Sequence, residues 1–255
     1  MKLIGIFKNN LDEAKLKGAF EIGAKRVRGQ VQEMIFQRLR SGLMAGHFTP
    51  GQTMSLRKLA EQFGTSPMPV REALARLVVV NALEESPSHS VCVPRPTPTR
   101  MAEIFEVREL LEGRAAEAAC RNCTPTLVAS LTSVNDKLLA AIAARNLQAC
   151  LSWNQRFHFT LYDAANSEIL MPLIESLWLQ FGPTMYLSLL QPETPWDASA
   201  HLDILEGLRT NSPSLTKRGV VKDIRTTGGV LIRALAGPNL SYVLPSSSHD
   251  LYFGR

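Results

Sequence analysis

Residues 64–77 read "GTSPMPVREALARL", and the placement of their two prolines decides the fold. Ser66 is a favourable helix N-cap. Pro67 then falls at the first helical position, where a missing N–H costs nothing. Pro69 still lies in the first turn, whose amides have no helical partner. The stretch predicts a helix that starts abruptly. Val70, Leu74 and Leu77 follow at i, i+4 and i+7 and face a core. Pro67, Met68, Arg71 and Ala75 share the opposite face, so an exposed arginine stands in the second turn.

Two helices precede it. Residues 28–45 carry Val31, Ile35, Leu39 and Leu43 at helical spacing. "HFTPGQTM" breaks that pattern with a Pro50-Gly51 turn signal. In "SLRKLAEQF", Ser55 can cap, and Leu56, Leu59, Ala60 and Phe63 form an inward stripe. Gly64 suits a left-handed helix end. Beyond the third helix, "NALEESP" and "HSVCVPR" are short extended runs joined around "SPSH", which predicts a small β-hairpin. Helix, turn, helix, short turn, helix and hairpin make a winged helix-turn-helix. In such a domain the third helix enters the major groove with its first residues at the base edges.

Charge supports a polyanion partner. Between residues 25 and 76, Lys25, Arg26, Arg28, Arg38, Arg40, Arg57, Lys58, Arg71 and Arg76 face only Glu33, Glu61 and Glu72. A solvated face is the plain alternative; phosphate neutralisation is the sharper one. The whole chain, at 255 residues and 45% hydrophobic, is long enough for two domains. It has no apolar run long enough to span a membrane, and its first residues make no signal peptide. The four cysteines, Cys92, Cys120, Cys123 and Cys150, are too few for a disulfide framework and read as reduced cytoplasmic thiols. Cys120 and Cys123 form a CxxC, with no second pair to complete a zinc site.

Residues 98–237 predict helix throughout, after an N-terminal extension (1–27) and the winged domain (28–95); residues 238–255 read as a poorly ordered tail. In "TRMAEIFEVRELLEGRAAEAAC", Met101, Ile104, Val107, Leu111 and Ala115 are expected inward. Thr124 caps the next helix, with Pro125 at its first position. Four more helices are expected at about 147–165, 167–190, 197–209 and 214–235, with Pro183 interrupting the longest and Gly228-Gly229 weakening the last. The expected fold class is therefore mainly α, a winged helix-turn-helix followed by an all-α bundle. "NQRFH" places Asn154 and His158 on one helix face, His201 begins "HLDILEGL", and Asp223 sits in "VVKDIR". Spacing alone leaves two readings open: ordinary helical histidines, or convergence on a divalent cation.

Over about residues 29–95 the chain resembles the DNA-binding domain of GntR-type bacterial regulators, most closely in "FTPGQTMSLRKLAEQFGTSPMPVREALARLVVVNALEE" at 48–85. The shared pieces are the Pro-Gly turn, "LA..FG.S" and "PVREAL.RL". The resemblance implies DNA contacts from Arg57, Ser66, Met68, Arg71 and the wing-tip pair Ser88 and His89. The family commonly has Arg then Thr after the capping serine, where Pro67 and Met68 stand here, and Gly at the wing tip, where "PSHS" stands. "EIFEVRELLEGRAAEAA", "NQRFHFTLYDAANSEIL" and "HLDILEGL" in turn resemble the FadR-type (FCD) ligand-binding domain. That resemblance implies a metal, zinc before nickel or manganese, held by Asn154, His158, His201 and Asp223, the last replacing the family's final histidine. It also implies a small organic acid effector near Arg108 and Asn166. The residues themselves leave open an internal Arg108–Glu112 ion pair and a helix-capping Asn166. A homodimer that binds an operator and shifts between arrangements on binding the acid is what the family implies. Two other classes compete: a metal-assisted hydrolase, for which no nucleophile elbow, phosphate loop or HExxH exists, and a protein-interaction module with a defunct winged helix.

Overall fold

The computed structural model describes residues 28–86, 90–189 and 198–237. The N-terminal extension, the wing tip with Ser88 and His89, and the tail lie outside the described residues. The winged domain contains α1 (Arg28–Met44), α2 (Leu56–Gln62), α3 (Pro67–Val79), β1 (Glu84–Glu85) and β2 (Val91–Cys92). The helical domain follows with α4 (Pro98–Arg121), α5 (Pro125–Ala143), α6 (Leu147–Asp163) and α7 (Leu170–Phe181). A 3-10 turn (Gly182–Thr184) leads into α8 (Met185–Leu189), and α9 (Ser199–Arg209) and α10 (Pro213–Ala236) complete it.

Local chemistry sets these limits. Ser55 caps α2 by accepting from the Lys58 N–H, and Gly64 ends it at φ +59°. Ser66 occupies the N-cap of α3, but its hydroxyl makes no capping bond. Pro69 at the third helical position has no N–H to give, which removes one of the two amides an N-cap side chain ordinarily accepts from. Ile35, Leu39 and Leu43 of α1 pack with Val70, Leu74 and Leu77 of α3 in a fully buried core. The hairpin pairs Glu84 with Cys92 and Glu85 with Val91, antiparallel. A third segment joins it. Met54 N–H donates to the Val91 carbonyl, and Thr53 bridges Cys92. The "PGQTM" turn thus doubles as a sheet edge, a long-range pairing that its sequence does not display.

In the helical domain α10 packs along α4 and α9, while α5 pairs with α6. Thr97 and Thr124 cap α4 and α5 through their side chains. Pro183 does interrupt the predicted long helix, in the 3-10 turn between α7 and α8. Gly228-Gly229 does not break α10. Gly228 instead lets α10 press on α4, since a Cβ there would lie 2.6 Å from Phe105 Cδ1. Met101, Ile104 and Ala115 of α4 are buried as expected, but Val107 is exposed, and Phe105, Arg108, Glu112 and Ala116 join the buried face. The two domains meet closely. Gly182 sits where a Cβ would come within 2.5 Å of the Leu43 carbonyl in α1. Arg40 of α1 pairs with Glu175 of α7 across this boundary, while within the helical domain Arg100 of α4 donates to Gln180 Oε1 of α7 at 2.7 Å.

Candidate nucleic-acid interface and metal centre

The exposed face of α3 carries Ser66, Pro67, Met68, Arg71 and Ala75 on the side opposite its core stripe. Arg57 stands exposed in the first turn of α2. The basic character of this region sorts into two groups. Arg40 is tied to Glu175, and Arg76 pairs with Glu33 at 2.7 Å over the Phe36 ring. Arg57, Lys58 and Arg71 have no ion-pair partner among the described residues. The unspent cations therefore gather at the starts of α2 and α3, where a groove-binding helix needs them.

The second constellation lies inside the helical bundle. His158 on α6, His201 on α9 and Asp223 on α10 each present one ligand atom, all within 4.8 Å of one another. His158 Nε2 lies 3.3 Å from His201 Nε2 and 3.1 Å from Asp223 Oδ2. Their opposite ring nitrogens are already committed. His201 Nδ1 faces Asn135 Oδ1 at 3.0 Å, so it donates and leaves its Nε2 lone pair free. His158 Nδ1 meets the Tyr162 hydroxyl at 3.1 Å, and that hydroxyl donates to Glu112 Oε2 at 2.6 Å. His158 Nδ1 is therefore a donor as well. Burial and the nearby Glu112 charge hold the Tyr162 phenol well above its ordinary pKa, which keeps this donor protonated.

Two imidazole lone pairs and a carboxylate facing one another are stable only around positive charge. A proton on His158 Nε2 or a metal ion supplies it. Metal–ligand bonds of about 2.1 Å put neighbouring donor atoms roughly 3.0–3.4 Å apart, and the observed 3.1 and 3.3 Å separations fall in that range. The donor set of two imidazoles and a carboxylate suits zinc, nickel or manganese. Fixed outer hydrogen bonds to both rings are the usual support of such ligands. The residues fit a divalent cation. Asn154 is buried one turn before His158 on α6, and among the described residues no hydrogen bond holds its amide elsewhere.

Burial, with the charge of His158, pushes His201 down to about 3 from an ordinary 6.5. For Asp223, burial opposes the charged form, but the hydrogen bond and charge of His158 outweigh it and set the carboxyl at about 2. Both groups bind fewer protons folded than unfolded, so both lose stability as pH falls. The metal-free chain is expected to melt at progressively lower temperature as pH drops from about 6.5 toward 3, and His201→Gln is expected to flatten that slope. A melting curve insensitive to pH over this range would contradict the buried, neutral His201.

Arg108 is buried and bound to Glu112 by both ends, Nε to Oε1 at 2.6 Å and an NH2 donor to Oε2 at 3.2 Å. Its guanidinium lies 3.7 Å from the Phe181 ring centre. The internal ion pair is thus formed, and Glu112 also accepts from Tyr162 and from Trp178 Nε1 at 3.1 Å. Asn166 stands apart from this cluster. It is exposed at φ +51° on the turn that ends α6, and its N–H donates to the Asp163 carbonyl. The structure gives it a helix-ending role, because asparagine tolerates the left-handed conformation. Sequence reasoning missed Tyr162, Trp178 and Asn135. Tyr162 follows His158 by one helical turn and was within reach of spacing; Trp178 and Asn135 arrive from other helices, with no local signal.

Comparison with known proteins places this arrangement. Residues 31–93 match the model of the bacterial regulatory proteins, gntR family, and residues 103–225 match the FCD domain. Over 165 residues the chain is 34% identical to the HTH-type transcriptional regulator McbR of Escherichia coli K12, which spans 65% of this chain and 74% of that protein. The chain belongs to the GntR family. Its architecture agrees with solved members. The structure of E. coli McbR/YncC superposes with a TM-score of 0.74 at 28% identity, over 80% of this chain and 97% of that one. A GntR protein from Rhodococcus shares the fold, with a TM-score of 0.65 at 18% identity over 80% and 98% of the two chains. This GntR protein is a transcriptional regulator with an FCD domain, and such regulators are not enzymes, which removes the hydrolase reading of the histidines. No helix among the described residues is long and apolar enough to cross a membrane.

Proposed function

We propose that this GntR regulator is a cytoplasmic homodimer that binds a palindromic DNA operator through α3, and that a small organic acid at a metal in its helical domain modulates that binding. The observation that carries the reading is the meeting of His158 Nε2, His201 Nε2 and Asp223 Oδ2 with both Nδ1 atoms already engaged. Asn154, His158, His201 and Asp223 would hold the ion, with zinc the first candidate. The bound ion would give an anionic ligand a positive anchor. Asp223 marks the open side of the cluster, with 23% of its side chain exposed against 1% for His158. In this reading the acid meets the metal first. Arg108 would take part only by exchanging Glu112 for the ligand carboxylate, and Asn166 would contribute only by holding the turn beside α6.

Packing supplies a route to the DNA-binding domain. Trp178, which donates to Glu112, sits on α7, and α7 also carries Glu175, the partner of Arg40 in α1. The same helix ends at Gly182 against Leu43. A ligand that binds one arrangement of α7 better than another would shift the population of winged-domain positions. Val107 and Leu110 on α4 and Leu173 on α7 leave large apolar side chains exposed on two helices that pack together. A second copy of the chain would cover them.

The DNA half of the proposal has a direct test. Arg71→Ala should cost about 1–3 kcal/mol of affinity for a specific operator, with the fold and dimer intact. Arg57→Ala should weaken binding more evenly across sequences, as a phosphate contact does. Fluorescence anisotropy with specific and scrambled duplexes separates the two. A folded Arg71→Ala protein with wild-type operator affinity would remove α3 from the groove.

A further inference from the structure

The start of α3 is chemically unlike a polar reading head. Pro67 and Pro69 have no backbone N–H, so Met68 is the single amide donor among the first three helical residues. The usual clamp of a helix N-terminus on a phosphate is correspondingly weak here. The Ser66 hydroxyl is unspent in capping and exposed, which leaves it to serve a phosphate. Between Ser66 and Arg71 the surface is apolar, made by Pro67 and by Met68, a residue 46% exposed. Val70 is fully buried and cannot reach outward, and Pro69 is buried as well. Met68 and Arg71 lie three residues apart on one helix face, with Cβ atoms about 5–6 Å apart. The next exposed position on that face, Ala75, is small and lets the helix approach closely.

An exposed thioether on a face otherwise supplied with cations invites an apolar partner within a polyanion. In the major groove that partner is the thymine C5-methyl, the one apolar group on the base edges. We propose that Met68 is a specificity-determining residue that packs on a thymine methyl, about one or two base pairs from a guanine held by Arg71. This rests on the DNA-binding reading above and adds the base that the helix start selects. Met68 carries no hydrogen-bond donor and only a weakly accepting thioether sulfur, so it discriminates by contact with the methyl rather than by donor or acceptor pattern.

Full-length wild-type protein would be used to enrich operators from a randomised duplex pool. The enriched half-site is expected to hold a thymine within two base pairs of a guanine that Arg71→Ala no longer selects. Replacing that thymine by uracil removes only the methyl and is expected to weaken the wild type about fourfold, the worth of one buried methyl group. Met68→Ala should bind the thymine and uracil duplexes equally, and it keeps the helix, since alanine is the best helix former. Met68→Arg should reselect guanine at the same pair. An enriched operator that is indifferent to uracil, or a uracil penalty that persists in Met68→Ala, would overturn the role of Met68 and leave DNA binding standing. A pool in which wild-type protein enriches nothing would overturn the DNA reading itself, and this proposal with it.

Discussion

Chelation is expected to lower the melting temperature of the wild-type protein and to leave that of His158→Ala/His201→Ala unchanged. A ligand that binds only the folded chain stabilises it by about 4 kcal/mol when present at a thousand times its dissociation constant. The double variant should purify without the single divalent ion per chain that the wild type is expected to carry. Removing two buried rings also leaves a cavity, so the variant will start from a lower melting temperature. The informative quantity is the difference made by the chelator. Elemental analysis reads the ion directly. Wild-type protein free of metal after purification without chelators, and equally stable with and without added zinc, would mean that a proton on His158 Nε2 holds His201 and Asp223 together.

The second large effect is expected at Glu112. Its carboxylate accepts from Arg108, Tyr162 and Trp178 in a fully buried site. Glu112→Leu would leave the Arg108 guanidinium buried among Phe105, Trp178 and Phe181 without a counter-ion. Breaking a buried pair from one side costs about 3–5 kcal/mol. Arg108→Met added to Glu112→Leu should recover part of that loss, because the uncompensated charge is then gone. Urea unfolding of the two single variants and the double variant gives the coupling energy. If the losses simply add, Arg108 and Glu112 are independent and the cluster is not organised around their pair.

The same pair explains where the sequence was hard to read. On α4 the apolar residues Met101, Ile104, Val107, Leu111 and Ala115 predict one buried stripe, yet Val107 is exposed and Arg108 and Glu112 are buried. Hydrophobic periodicity assigns charged residues to the outside. A buried, mutually neutralising pair at i, i+4 inverts that rule, and only the surrounding rings and hydroxyl show why it is tolerated. The winged domain was far more legible. Its caps, its Pro-Gly and Gly64 turns and the core stripe of α3 are set by neighbours within a few residues. Thr53 on the sheet edge was not legible, because its partner Cys92 lies far along the chain. In the cluster, the spacing of Asn154 and His158 pointed to one face, and His201 and Asp223 join His158. Asn135 and Trp178 support that cluster from helices whose sequence gives no sign of it.

In the proposed regulator, the cluster on α6, α9 and α10 communicates with the start of α3 that would face the groove. The most direct measurement is operator affinity of one protein preparation in three states: metal-stripped, zinc-loaded, and zinc-loaded with a small organic acid that raises its melting temperature. Allosteric coupling of about 1–3 kcal/mol corresponds to a change of roughly 5–150-fold in affinity. The acid should produce a shift of that size in zinc-loaded wild type, none in His158→Ala/His201→Ala, and an equal shift in acid affinity when operator is added. Operator affinity that is the same in all three states would contradict the account.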